Sequence, residues 1–357
     1  MNPTQVSFAE LSPEAQALVA LGRAVRTRIH AGRAHAKDWS DVAAQAASDL
    51  QYGIDRFSEE GLVEAVSVHC HALLPLLLMS EGLPEQGIRV GEGAPRWLLM
   101  LDPIDGTRGL MHDKRSAFFL AGLAPVNDAR LATLCHAAMI ELPTTRSPLS
   151  DVLAADADGT LFACTDEIAT ASCTSTRPLL VQPSRAVDLR HGFATVVRFF
   201  AGAAERLGAF HDALLQELHP DDPQAHQDAF EDQYISNAGQ MHALITGRDR
   251  FVADLRPLVS NPIATTATSV VATHSVPLRC AHPYDLLGLL VARAAGVAIT
   301  DAHGAPLDAP LDITTRVAWI GYANSTLRHH VEPCVHRALF RTLLHPRKPP
   351  SPPQNHD

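Results

Sequence analysis

The apolar positions along this chain change period several times, and each change predicts an element. After a loose segment over residues 1–11, Ser12-Pro13-Glu14 supplies a cap, a proline at the first helical position and an acid in the first turn. A helix is therefore predicted to about residue 35. Ser58-Glu59-Glu60 opens a second apolar-periodic segment that carries Leu62, Val63 and Val66 toward Met79. Pro75 is expected to bend or end it, and its C-terminal end delivers Glu81. Residues 97–101, WLLML, form a continuous apolar run of strand length that stops at Asp102-Pro103-Ile104-Asp105-Gly106, so a buried strand is predicted to feed a polar turn.

Residues 116–125 and 136–143 read as neighbouring strands, and residues 144–186 alternate short apolar runs with Asp, Gly, Ser and Thr, as a β-rich region does. Residues 192–218 read as helical, and residues 219–227 as a polar connection with prolines. A helix near 236–247, a strand over 251–257 and a helical pattern over 284–295 closed by Gly296 follow. The tail over residues 345–357 is too polar and proline-rich to pack a core and is expected to be disordered; no internal repeat is visible.

Composition narrows the function classes. With 357 residues, 46% of them hydrophobic, the chain can bury a large core as one layered unit or two packed domains. Its 29 basic and 39 acidic residues leave a formal charge of −10, which repels a nucleic-acid backbone. The uncharged run over residues 65–80 contains His69, His71 and Pro75 and is too short and polar to span a bilayer. No basic segment followed by an apolar one opens the chain, and Cys70, Cys135, Cys164, Cys173, Cys280 and Cys334 form no CxxC pair. A cytoplasmic protein without membrane or nucleic-acid partners is expected.

The most informative string is Asp102-Pro103-Ile104-Asp105-Gly106-Thr107. Two carboxylates three positions apart at a strand end can face one cavity, where hard oxygen ligands suit Mg²⁺. Gly106 allows close backbone approach and Thr107 adds a hydroxyl. Asp-Pro and Asp-Gly are equally ordinary turn formers, and spacing alone leaves both readings open. Phosphate-loop, dinucleotide, HExxH and GxSxG patterns are absent, and no pair of the nineteen histidines has a convincing metal spacing.

Three further stretches occur in order around this string: Ser48-Asp49-Leu50 through Asp55-Arg56; Ser80-Glu81-Gly82, whose Glu81 stands 21 positions before Asp102; and Pro283-Tyr284-Asp285-Leu286 followed by Ala294-Ala295-Gly296. Together they resemble the inositol monophosphatase superfamily, the lithium-sensitive metal-dependent phosphatases, over about residues 15–335. The segment from Ser236-Asn237-Ala238-Gly239-Gln240 to Arg248 resembles the helix near the substrate in that family. Tyr284 replaces the usual tryptophan, Tyr52 a threonine and Gly82 a second glutamate, and Ala294-Ala295-Gly296-Val297 lacks the usual acid. Arg108-Gly109-Leu110 is closer to the bisphosphate nucleotidase branch, and the basic residues among 111–116 are candidates for contact with a second phosphate.

The resemblance implies a layered αβαβα sandwich of α/β (α+β) class. Residues 1–190 would form an N-terminal α+β half carrying Asp55, Glu81 and the Asp102–Asp105 string, and residues 191–345 an α/β half carrying Asp285. It implies that Glu81, Asp102 and the Ile104 carbonyl hold one Mg²⁺, that Asp102, Asp105 and Asp285 hold a second, and that a third ion depends on Asp55. Glu81 and Thr107, the latter backed by Asp55, would activate water, and the N–H groups of Gly106 and Thr107 would receive phosphate oxygens. The implied activity is hydrolysis of a small phosphorylated metabolite, an inositol phosphate, a 3′(2′),5′-bisphosphate nucleotide or a sugar bisphosphate. The alternative is a catalytically weak metal-binding relative acting through a protein partner. A homodimer is common in the family, and the extra residues over 258–282 read as an insertion.

Overall fold

The computed structural model describes residues 5–33, 42–45, 50–53, 61–169, 172–200, 202–260 and 279–344. Asp55, most of the 258–282 insertion and the tail lie outside them. The strands are β1 (Val42–Gln45) and β2 (Leu50–Tyr52), a separate antiparallel pair, then β3 (Leu76–Ser80), β4 (Ile88–Val90), β5 (Trp97–Asp105), β6 (Ala117–Pro125), β7 (His136–Leu142), β8 (Leu149–Asp156), β9 (Leu161–Ala169) and β10 (Ser172–Pro178). β3 to β10 form one sheet in the order β10-β9-β8-β7-β6-β5-β3-β4, antiparallel except between β3 and β5. β11 (Gly192–Val196), β12 (Ala229–Phe230), β13 (Asp249–Asp254), β14 (Ala298–Thr300) and β15 (Trp319–Tyr322) form a second sheet in the order β12-β11-β13-β15-β14.

Both faces of the first sheet are covered, which is why its central strands read as unbroken apolar runs. Along β6, Phe118 and Leu120 enter one hydrophobic cluster while Phe119 and Ala121 enter another. Outside lie α1 (Pro13–Arg33) and α2 (Leu62–His69), which bring Leu18, Leu21, Val25 and Leu62 to the second of these clusters. Gly22 lets α1 lie close, since a Cβ there would meet Ile140 at 2.4 Å and Phe119 at 2.6 Å. The site turn holds α3 (Thr107–Met111), and the outer face of the second sheet carries α4 (Ala204–Leu218). Between the sheets lies α5 (Asn237–Ile245); the short α6 (Arg256–Ser260) follows β13, and α7 (Leu289–Ala294) also lies between the sheets, with Met241, Leu244, Leu289 and Val291 in the shared core. α8 (Ser325–Leu339) packs against α4, placing Val331 and Val335 in the same cluster as Phe210 and Leu214. The layers run helix, sheet, helix, sheet, helix, as expected. Among the described residues no helix is long and apolar enough to cross a membrane.

Two expected helical stretches are strands. The run after Pro75 is β3, because Leu76 and Leu78 point into the outer cluster while Leu77 and Met79 pack toward the inner one, a period of two that a helix cannot serve. Glu81 therefore leaves the end of a strand. Residues 192–196 form β11, with Ala194 and Val196 buried between parallel neighbours, and the helix begins only at Ala204. The expected helix over 284–295 is split into a 3₁₀ turn, Pro283–Leu286, and α7; it ends at Gly296, whose φ is 88°.

Charged groups pin the layers. Asp166 on β9, its side chain fully buried, accepts from Arg23 Nε and Arg26 Nη2 of α1, each at 2.9 Å, and from Thr176 Oγ1 at 2.8 Å. Between the sheets His242 Nε2 of α5 lies 3.0 Å from Asp151 Oδ2 of β8.

Candidate metal centre

β5 carries the two central carboxylates. In a regular strand, residues three apart face opposite sides of the sheet. Here the pairing steps from Asp102↔Leu120 to Asp105↔Phe118, so Pro103 and Ile104 together oppose Phe119 alone. This β-bulge reverses the parity and turns both carboxylates to one side. The strand does not stop at Leu101, as the sequence suggested; it continues through the motif to Asp105. A bulge is also where proline is tolerated within a sheet, because the ladder bond it cannot donate is already broken.

Carboxylate oxygens of Asp102, Asp105 and Asp285 lie within 4.8 Å of one another. Glu81 lines the same cavity; the parallel register Ser80↔Leu101 sets it beside Asp102. Each of the three aspartates is held by backbone. The Ile104 N–H donates to Asp102 Oδ1 at 3.0 Å, and the His282 N–H to Asp285 Oδ2 at 2.6 Å. Asp105 Oδ2 accepts from the Ser236 hydroxyl at 2.8 Å and the Ala238 N–H at 2.5 Å, so it rests on the N-terminus of α5. The same Ser236 hydroxyl caps α5 by accepting the Gly239 N–H at 2.8 Å. Tyr284, 3% exposed, stacks on the His282 ring at 5.2 Å and brings its hydroxyl within 3.3 Å of Nδ1, the partner a buried tyrosine needs in a tryptophan slot.

The turn after β5 is tight. Gly106 has φ 101°, and a Cβ there would lie 3.0 Å from Ser236 Cβ, so the position favours glycine on both counts. Thr107 opens α3, and its hydroxyl donates to the Ile104 carbonyl at 2.9 Å. That carbonyl keeps a second lone pair. Gly106, Thr107 and Ile104 all line the cavity. Asp55, assigned a place behind Thr107 by the resemblance, lies outside the described residues.

Several lining residues carried no motif in the sequence: Phe199, Phe200, Arg256, Arg279 and His282. Arg256 had a signal of a kind, since Asp254-Leu255-Arg256 closes a strand-like run with a charge pair. The phenylalanines were hidden in what read as a helix. Arg115 does not reach this cavity; it pairs with Asp232 at 2.6 Å and lies 5.0 Å from the Tyr234 ring centre.

Asp102 and Asp105 are both 6% exposed. Burial, followed by the charges of Asp105, Asp285 and Glu81, raises Asp102 well above the usual carboxylate range. Burial, then Asp285, pushes Asp105 up to about 8, against the pull of its hydrogen bonds and Arg256. A cluster of hard oxygen donors that resists ionisation without a counter-charge fits a divalent cation, and it can hold one. Between the ordinary Asp value of 3.8 and about 8, the metal-free folded state keeps a proton that the unfolded chain has shed. Stability of the metal-free protein from this group therefore falls as pH rises through that window. A bound cation replaces the proton, so the rise in Tm on adding Mg²⁺ to chelator-treated protein is expected to be larger at about pH 8 than at about pH 5. An increment that shrinks with pH would contradict this account.

The chain's sequence matches no protein family and no curated protein. Solved structures do match in three dimensions. A fructose-1,6-bisphosphatase from Leishmania major aligns at TM-score 0.62 and 13% identity, covering 94% of this chain and 99% of that one. The extragenic suppressor protein suhB from Bartonella henselae aligns at 0.56 and 16% identity, covering 90% and 96%. An inositol monophosphatase from Zymomonas mobilis aligns at 0.52 and 13% identity, also covering 90% and 96%. Nearly whole-length superposition at such low identity is a statement about architecture: the chain has the fold shared by inositol monophosphatases and fructose-1,6-bisphosphatases.

Proposed function

We propose that the chain is a Mg²⁺-dependent phosphomonoesterase acting on a small phosphorylated metabolite. The observation that carries this reading is the bulged end of β5, where Asp102 and Asp105 converge with Asp285 beside Glu81 and Thr107. Glu81, Asp102 and the Ile104 carbonyl would hold one ion, and Asp102, Asp105 and Asp285 another. Bound there, Mg²⁺ supplies a water of lowered pKa and charge neutralisation for the phosphate oxygens.

The chain's own groups do the rest. Glu81 and Thr107 orient the attacking water, and Glu81 accepts its proton. The hydroxyl of Thr107, turned toward the Ile104 carbonyl, leaves its oxygen to accept a hydrogen bond from that water. The N–H groups of Gly106 and Thr107 receive phosphate oxygens where β5 turns into α3. Asp55 completes the arrangement behind Thr107 in this reading. Attack is direct and in line, with no covalent phosphoenzyme. Residues 1–190 and 191–345 form two halves that meet at the site. The six cysteines, all free, suit the reducing cytoplasm.

Phosphate release from inositol phosphates, bisphosphate nucleotides and sugar phosphates, assayed with Mg²⁺, with chelator and with added Li⁺, tests the proposal. Release that requires Mg²⁺ and is inhibited by Li⁺ is the expected outcome. No release from any ester, with Mg²⁺ still raising Tm, would replace the hydrolase with a metal-binding protein that acts through a partner.

A further inference from the structure

A second cavity, of about 320 Å³, opens further along α5 and shares no lining residue with the metal centre. It forms where β6, β11 and β13 begin and β7 ends. Gly239, His242 and Ala243, three and four positions apart, turn one face of α5 to it. Its rim is tied down by charge and ring. Arg115 pairs with Asp232 at 2.6 Å and lies over the ring of Tyr234, whose hydroxyl donates to the Ser116 carbonyl at 2.7 Å.

Asp249 lines this cavity without a partner. It is 8% exposed, yet among the described residues its carboxylate accepts no hydrogen bond and forms no ion pair. Backbone geometry brings it there. On β13, Val252 pairs with Gly321, which abuts Leu244 of α5, so regular alternation would turn Phe251 and Asp249 away from that helix. The pairing instead steps from Ala194↔Phe251 to Phe193↔Asp249 with Arg250 the extra residue, and this bulge returns Asp249 to the α5 side. Burial, then the charge of Asp232, pushes its pKa up to about 7, against the pull of Arg115 and Arg248. A buried carboxyl in this state costs stability that a bound partner would restore. The walls suit a cation: Glu141 and Asp232 add negative charge, and Phe118 and Phe193 add aromatic surface. Phe193 is 39% exposed and meets Phe230 at 5.8 Å, forming an apolar lip. Among the described residues only Asp102, Asp105 and Asp285 converge closely enough for a metal ion, so the acids here suit a larger cation.

We infer that this cavity binds a small organic cation, an ammonium or amidinium group on an apolar body, with Asp249 receiving the charge and Phe193 covering the body. A phosphate ester has the wrong charge for it, so the site serves a different ligand from the metal centre and stands whether or not the chain is a phosphatase. The two sites share one element: the helix whose face lines this cavity is the one whose N-terminus holds Asp105.

The test is calorimetric titration of the full chain, in excess Mg²⁺, with benzamidine, benzamide and benzoate, which share one ring and differ in charge. Excess Mg²⁺ competes for the carboxylates of the metal centre. Benzamidine is expected to bind about 10- to 100-fold more tightly than benzamide, as bonds to a charged group contribute, and benzoate more weakly than either. In Asp249→Asn the preference for benzamidine is expected to collapse toward one while Tm holds or rises, because a buried charge without a partner has been removed. In Phe193→Ala, benzamidine and benzamide are expected to weaken together and keep their ratio, since both lose the same covering ring. Equal binding of benzamidine and benzamide, tightest binding of benzoate, or a preference that survives in folded Asp249→Asn would overturn the site.

Discussion

Asp102→Asn is expected to reduce phosphate release by about 10³-fold or more, the upper end of what loss of one preorganised charge-stabilising group costs. Asp102 belongs to both proposed ion sites, so its loss removes a ligand from each. The exchange is close to isosteric, and the Ile104 N–H that now donates to Asp102 Oδ1 at 3.0 Å finds the amide oxygen of Asn in its place. Fold is therefore preserved. Stability of the metal-free protein is expected to rise, because Asn relieves the burial of a charge already opposed by Asp105, Asp285 and Glu81. The increment in Tm on adding Mg²⁺ should shrink at the same time. Lost activity with an unchanged Mg²⁺ increment would detach catalysis from metal binding at Asp102, and activity within tenfold of the parent would sink the assignment.

Asp166→Ala is expected to lower stability by about 3–5 kcal/mol, the cost of removing one partner of a buried ion pair. Burial alone would raise the Asp166 pKa, but hydrogen bonds from Arg23, Arg26 and Thr176 hold it below the ordinary range. Among the described residues, alanine leaves the guanidinium of Arg26, its side chain 4% exposed, with only Ser150 Oγ at 2.7 Å as an acceptor. Arg23 is 29% exposed and can turn toward water, so most of the loss falls on Arg26. Denaturant unfolding measures it. The pair Asp166→Leu with Arg26→Met is expected to recover much of the loss, since no charge is then stranded. A single-variant loss below about 1 kcal/mol would show that α1 is held by its apolar face alone.

Much of the architecture was legible because burial writes itself into period. The runs of β5, β6 and β7 and the N-terminal cap of α1 could be read directly, as could the order of acidic motifs. What misled the reading was two-sided burial. The apolar run after Pro75 and residues 192–196 lack polar alternation, and without it a short strand and a helix segment look alike. At the site, residue types were visible but their geometry was not. Nothing in Asp-Pro-Ile-Asp announces that Pro103 and Ile104 share one partner, yet that count decides which way Asp105 points. Arg256, Arg279 and Phe200 escaped notice because only tertiary packing unites them. Asp55 and most of the 258–282 segment lie outside the described residues.

Asp105 is positioned by Ser236 and Ala238, which follow it by 131 and 133 residues. This long reach has a temporal meaning. A chain emerging during synthesis exposes the Asp102–Asp105 string early, but the groups that hold Asp105 in place arrive only after β11 and β12 have been made, and Asp285 itself only after β13. The half-made protein is thus a poor trap for divalent cations, and tight metal capture becomes a late event that reports completed assembly.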